Sequence, residues 1–142
     1  MTAYDLTSVP NPTYQIDRRH IDAIIWRHAL DVKADIATVT AADYAKVIAI
    51  PANTWVQGVI VNVHAASTVA LSTINVGDSA SATQYLSATS TATTGFTAAA
   101  ATTQKFYGAA DYIKVTLGTT APTSGVIDVT AFMTQLPDYA TE

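Results

Sequence analysis

Residues 46–65, KVIAIPANTWVQGVIVNVHA, constrain this chain more than any other stretch. Val59, Val61 and Val63 recur at every second position, with Gln57 on the same parity and Asn62 and His64 on the other. A period of two carried by β-branched residues belongs to a strand with one face in a core. Pro51 has no N–H to give to a ladder, so the apolar run over 47–50 should end there and the chain should turn through Pro51-Ala52-Asn53. The expected architecture is a β-sandwich built around the long second run.

The flanking chain repeats this pattern. Ile113, Val115 and Leu117 alternate with Tyr112, Lys114 and Thr116, and Ile127, Val129, Ala131 and Met133 alternate with Asp128, Thr130 and Phe132. The turn region between them, 118–125, contains Pro122, so the two strands are expected to form an antiparallel hairpin. Over 69–76 the alternation slips at Ser72-Thr73, as a bulge would make it, and Gly77-Asp78 marks a turn. Residues 79–104 are mostly Ala, Thr and Ser, with Tyr85, Leu86 and Phe96 as large apolar anchors; short edge strands and long loops are expected there.

Residues 21–32 fit two periods. As a strand, Ile24, Trp26, His28, Leu30 and Val32 share a face opposite Arg27 and Asp31; as a helix, Ile21, Ile24, Ile25 and His28 form a stripe that Asp17 could cap. The strand accounts better for Trp26 and Leu30. Residues 33–44 read as a polar connection with a short helical turn at 41–44. The organisation expected is an extended N-terminal arm over 1–20, one antiparallel sandwich over 21–136, and a tail over 137–142. Several one-sided strands without a convincing helical pattern place the chain in the all-β class.

Composition narrows the function. A net charge of −4 lacks the basic face that binding to nucleic acid phosphates requires. There is no cysteine, so disulfides and thiolate metal sites are excluded. No apolar run approaches the roughly 20 residues of a membrane-spanning helix, and the start MTAYDLTSVPNP is not a signal peptide; a soluble protein made in a cytoplasm is expected. Ala and Thr supply about a third of the chain, and Glu142 is the only glutamate, a balance that suits strands and loops. Between Lys46 and Lys105 the only charged residue is Asp78. Free β-domains protect their surface with charge, so such a stretch suggests cover by other subunits and hence a homo-oligomer.

No catalytic, cofactor or metal site is expected. Phosphate loops, nucleophile elbows and HExxH are all missing, and His20, His28 and His64 lack close ligand spacing. Asp78 has no further carboxylate nearby for calcium and reads as a turn aspartate. Asp22, Asp31, Asp35 and Asp43 are scattered among Arg and Lys, as on a solvated face. Trp26, Trp55 and the seven tyrosines could stack on sugars, though in a small sandwich aromatics serve mostly as core or subunit contacts. In the arm, Pro10 and Pro12 hold Asn11 extended, while Tyr4, Leu6, Val9 and Tyr14 offer a partner apolar holds. Tyr4, Leu6, Val9, Pro10, Pro12 and Tyr14 are therefore the candidate partner-binding residues.

Four segments in order, VIAIPANTWVQGVIVNV, STINVGD, KFYGAADYIKVTLG and GVIDVTAFM, resemble the small β-sandwich decoration or cement proteins of tailed double-stranded DNA phage heads, over about residues 45–135. The resemblance implies a jelly-roll-like sandwich, usually trimeric, outside the head where capsomers of the major capsid protein meet, with no catalytic residues. Segments like IPANT also occur in phage fibre and spike modules, so a carbohydrate-binding or host-adhesion module is the alternative.

Overall fold

A computed structural model of the chain describes residues 3–5, 22–36 and 40–136. Among these described residues ten strands appear in chain order: β1 (Ala3–Asp5), β2 (Asp22–Asp31), β3 (Tyr44–Ile50), β4 (Thr54–Ala65), β5 (Thr73–Gly77), β6 (Leu86–Ser90), β7 (Gly95–Ala98), β8 (Lys105–Tyr107), β9 (Asp111–Leu117) and β10 (Val126–Gln135). They form two five-stranded sheets. Sheet A runs β1-β3-β9-β5-β6, and sheet B runs β2-β10-β4-β7 with β8 also paired to β4.

The pairs are nested. β5 pairs with β6, β4 with β7 and β8, β3 with β9, and β2 with β10, all antiparallel. A long hairpin folded over onto itself gives this order, and successive nested pairs then alternate between two packed sheets as in a jelly roll. β1 is the addition, lying parallel to β3 at one edge of sheet A.

This nesting corrects the expected hairpin of the last two strands. β9 lies between β3 and β5 in sheet A, while β10 lies between β2 and β4 in sheet B. The 118–125 link therefore crosses the sandwich. Each strand already has two antiparallel neighbours, so neither edge is open to the other.

Residues 22–31 form a strand, as the positions of Trp26 and Leu30 require. Leu30 is fully buried, and Ile24 and Trp26 pack against the core. The helical turn lies at α1 (Val32–Asp35), not at 41–44. Asp31 caps it, accepting from the N–H groups of Lys33 and Ala34 at 3.1 Å each. The Pro51-Ala52-Asn53 turn is where the proline places it, and Asn53 takes the left-handed conformation, φ 56°, that asparagine tolerates.

The two inner faces supply the core. Val47, Ile50, Ile74, Val76, Ile113, Val115 and Leu117 of sheet A meet Val56, Val59, Val61, Val63, Ile127, Val129 and Met133 of sheet B, all buried. Two local expectations fail for backbone reasons. The register of β4 against β10 slips between Phe132 and Met133, so Gln57 is an extra residue facing outward rather than a core residue. Residues 69–71 belong to a turn preceding β5, with Leu71 at φ 60° and exposed. The slip at Ser72-Thr73 is thus a strand start, not a bulge. The segment over 79–104 holds short edge strands, β6 and β7, as expected of it.

Candidate functional site

The register sets one group of residues together on the outer face of sheet B. Trp55 pairs with Thr134 and Phe106, Gly58 with Phe132, which in turn pairs with Ile25, and Ile60 with Thr130 and Ala98. Phe96 lies beside Asn62. Residues directly opposite in antiparallel strands share a face, so these side chains form one surface. Ile25 is 64% exposed, Phe96 78%, Phe106 48% and Trp55 44%. Phe132 covers Gly58 closely enough that a Cβ there would lie 3.9 Å from its ring. Arg27 and Asp128, 2.6 Å apart, are the ion pair on this face.

The bulge at Gln57 creates this surface. Without it Trp55 would share parity with Val59, Val61 and Val63 and enter the core; with it, Thr54 and Val56 are buried and Trp55 turns outward. Several exposed aromatic and aliphatic side chains on one sheet face make this the candidate contact surface. Sequence reading missed it, although Ile25, Ile60 and Phe132 all stand on the parity opposite to the core residues.

The outer face of sheet A is different. Lys46 and Lys114 are direct partners on β3 and β9. Each ammonium sits over a diagonal tyrosine ring, Lys46 at 4.4 Å from the centroid of Tyr112 and Lys114 at 5.2 Å from that of Tyr44. Like charges directly opposite repel, and the two rings offset part of that. Asp5 of β1 occupies the register position beside Lys46. The same row therefore reads Asp5, Lys46, Lys114 across three strands.

A third cluster is buried between the sheets. Asp78, fully buried, accepts from the Lys105 ammonium at 2.5 Å and the Tyr107 hydroxyl at 2.8 Å through one oxygen. Its other oxygen accepts from the Ala80 and Ser81 N–H groups at 3.0 and 2.8 Å. The hydroxyls of Tyr107 and Tyr85 are hydrogen-bonded to each other. Burial opposes ionisation of Asp78, but the bonds from Lys105, Tyr107 and the Ser81 N–H outweigh it and hold the carboxyl below its ordinary range. Burial pushes both phenols above theirs. A carboxylate bonded on both oxygens beside two protonated phenols ties β5 and the start of β6 to β8. Asp78 is more than the turn aspartate of the sequence reading: it is also an anchor between layers.

Of the six expected partner-binding residues, Tyr4 lies in β1 at the register position of Ala45, at the edge of sheet A. Leu6, Val9, Pro10, Pro12 and Tyr14 lie outside the described residues, as does His20. His28 and His64 are kept apart. His28 is on the inner side of β2, where burial lowers its pKa against the pull of Asp35, and His64 is exposed at the end of β4. Among the described residues no group of three or more His, Asp or Glu could hold a metal ion. No helix among them is long and apolar enough to cross a membrane.

No family model matches the chain, and no curated protein matches its sequence. Solved structures do. A chain of the cyanophage Pam1 capsid asymmetric unit aligns over 92% of this chain and 94% of its own, with a TM-score of 0.66 and 22% identity. A chain of the Ralstonia phage GP4 capsid aligns over 94% and 98%, with a TM-score of 0.67 and 14% identity. A chain of the acidic stable capsid of Helicobacter pylori bacteriophage KHP30 aligns over 82% and 89%, with a TM-score of 0.58 and 16% identity. At these identities the shared property is the fold: the all-β sandwich of this chain is also that of chains in three phage capsids.

Proposed function

We propose that this chain is a structural virion protein that binds the outside of a phage capsid lattice and stabilises it. The observation that carries the reading is the near full-length likeness to chains from three phage capsids. The four-segment resemblance to head decoration proteins supports decoration over lattice-forming capsid protein. The apolar outer face of sheet B and the arm residues Tyr4, Leu6, Val9, Pro10, Pro12 and Tyr14 are the surfaces offered to partners, namely the major capsid protein lattice and further copies in a homo-oligomer, most simply a trimer. Many identical weak contacts then add up through valency. No chemistry is required of the protein, and the bonded Asp78 carboxylate serves structure.

The test compares heads with and without added protein under heat or chelator, following DNA release. Binding to the intact state alone adds free energy that disassembly must overcome, so decorated heads should release DNA later. Equal release with protein bound would refute the bracing role. The adhesion alternative draws its support from the exposed Trp55–Phe106 pair, which a sugar ring could stack on. Tyr107, buried on Asp78, is unavailable for that. Failure to bind heads together with hits on a glycan array would favour it.

A further inference from the structure

We propose that, in binding a capsid as read above, this protein seats by one end of the sandwich, with Leu71 inserted into an apolar, uncharged hollow in the outer surface of the shell. This rests on the capsid-binding reading and adds to it the end and the side chain that make the contact.

Leu71 is 84% exposed, the most exposed large apolar side chain among the described residues. Exposure alone would not single it out, since solitary apolar side chains are common on protein surfaces. Its backbone does. The Ser72 N–H donates to the Val69 carbonyl, closing a turn with Ala70 and Leu71 at its centre. Leu71 takes φ 60° there, at the turn position where glycine or asparagine normally stands. A bulky side chain at that φ is strained. Of the other described non-glycine residues at positive φ, Asn53 tolerates it, and Ala42 and Ala88 carry nothing beyond a Cβ. Only at Leu71 does the fold accept both costs, a strained backbone and a large apolar group left in water. Such strain persists where the surroundings enforce it and concentrates where a side chain is held out for use.

The surroundings do enforce it. The Ser67 N–H donates to the Thr91 carbonyl at 2.8 Å, the Thr91 N–H donates to the Ser72 carbonyl at 2.9 Å, and the Ser72 and Thr91 hydroxyls are bonded at 2.7 Å. On the other side the Thr68 N–H donates to the Ser124 hydroxyl at 3.2 Å. Loops 66–72, 91–94 and 118–125 thus meet at one end of the sandwich, and the Leu71 turn is clamped from both flanks. A clamped side chain gives up little conformational freedom on binding, so more of its burial is kept as affinity.

The chemistry of this end states what it fits. None of the three loops contains a charged residue. Charge returns only beside them, on Lys33 and Asp35 of α1, which the Val32 N–H ties to the Gly125 carbonyl at 3.0 Å. A protruding leucine with an uncharged surround and charge at the margin matches a hollow lined with apolar side chains and free of ions at its mouth. The other exposed large apolar side chains, Ile25, Trp55, Phe96 and Phe106, project from the outer face of sheet B rather than line a hollow. The hollow therefore belongs to the surface on which the protein sits, not to a second copy.

The test compares the parent, Leu71→Asn and Leu71→Met by thermal melting and by titration onto intact heads that lack the protein. Asparagine accepts the left-handed conformation but is polar. Its variant should melt a few degrees above the parent, yet bind heads at least about tenfold more weakly, the lower end of what burying one leucine is worth. Methionine keeps the apolar bulk and should bind nearly as the parent does. Thr93→Asp with Thr119→Asp, both exposed on the flanking loops, should leave melting unchanged and also weaken attachment. If Leu71→Asn decorates heads as tightly as the parent, the Leu71 contact is overturned and the capsid-binding reading stands. The same holds if that variant loses only its association with other copies in light scattering. A Leu71→Asn protein that melts below the parent overturns the strain on which Leu71 was singled out. If the parent itself does not bind heads, both the contact and the capsid-binding reading are overturned.

Discussion

The Tyr107 hydroxyl donates to Asp78 at 2.8 Å, joining β8 of sheet B to the turn that follows β5 of sheet A. The Lys105 ammonium completes the join from two residues away on the same strand. Asp78→Asn should lower stability by about 2–4 kcal/mol, since it leaves the ammonium and phenol facing an uncharged amide. Lys105→Ala should lose only about 1 kcal/mol, because that side chain is a third exposed and water screens it. Denaturant melts of both variants check the order.

The same cluster sets a pH window. The Asp78 carboxyl is held below its ordinary 3.8, so its contribution is present above that pH and is lost as pH falls through the lower folded value. The Tyr85 and Tyr107 phenols are raised above their ordinary 10.0, so stability is full below pH 10 and declines above it. Melting temperature against pH should fall at both ends. Tyr107→Phe should flatten the alkaline limb at the expense of the plateau.

His28 adds a milder acid limb. Burial lowers its pKa below 6.5, so protonation favours the unfolded chain and stability declines as pH drops below 6.5. His28→Gln should remove the slope that sets in below pH 6.5 in a titration of the melting temperature and leave the Asp78 limb in place.

Two glycines should respond oppositely to alanine. A Cβ on Gly77 would lie 1.9 Å from the Ser81 carbonyl oxygen and 2.5 Å from Ala82 backbone, where nothing flexible can yield. Gly77→Ala should destabilise by about 3 kcal/mol. On Gly58 the nearest atom is a Phe132 ring carbon at 3.9 Å, an ordinary contact. Gly58→Ala should melt within a few degrees of the parent.

Variants on the outer face of sheet B should separate the proposed binding from folding. Ile25→Ser and Phe96→Ser together remove two of its most exposed side chains and should leave the melting temperature nearly unchanged. Attachment to capsids or to other copies should weaken at least tenfold in a pull-down titration. By contrast Val61→Asp, opposite Val129 in the core, should prevent folding, while Asn62→Asp on the outer face is tolerated.

Much of the fold was legible because alternation is a local property. Val59, Val61 and Val63, Ile113 to Leu117 and Ile127 to Met133 announce their strands and inner faces one residue at a time. Pairing partners are not local. Nothing within residues 105–135 says that β9 and β10 belong to different sheets; that follows from which other strands fill the places beside them. Gln57 misled for a related reason. A bulge costs one residue of register without a sequence mark of its own, and it carried Trp55 out of the core and onto the candidate surface. Asp78 read as a turn residue because Lys105 and Tyr107, far along the chain, are what bury it in a network.

The nested pairing also fixes when the molecule can be finished. β5 and β6 can meet as soon as both exist, but Arg27 of β2 waits for Asp128 of β10, 101 positions later. Such non-local closure slows folding, because the entropy of each wider loop is lost before its contacts form. β10 is moreover an inner strand of sheet B, so until it arrives β2 and β4 each lack a neighbour on their main pairing edge. During synthesis the half-made sheet is therefore open along its middle, exposing Val59, Val61 and Val63 to other nascent chains. A chain stopped before Val126 would be two unpaired edges seeking a third strand.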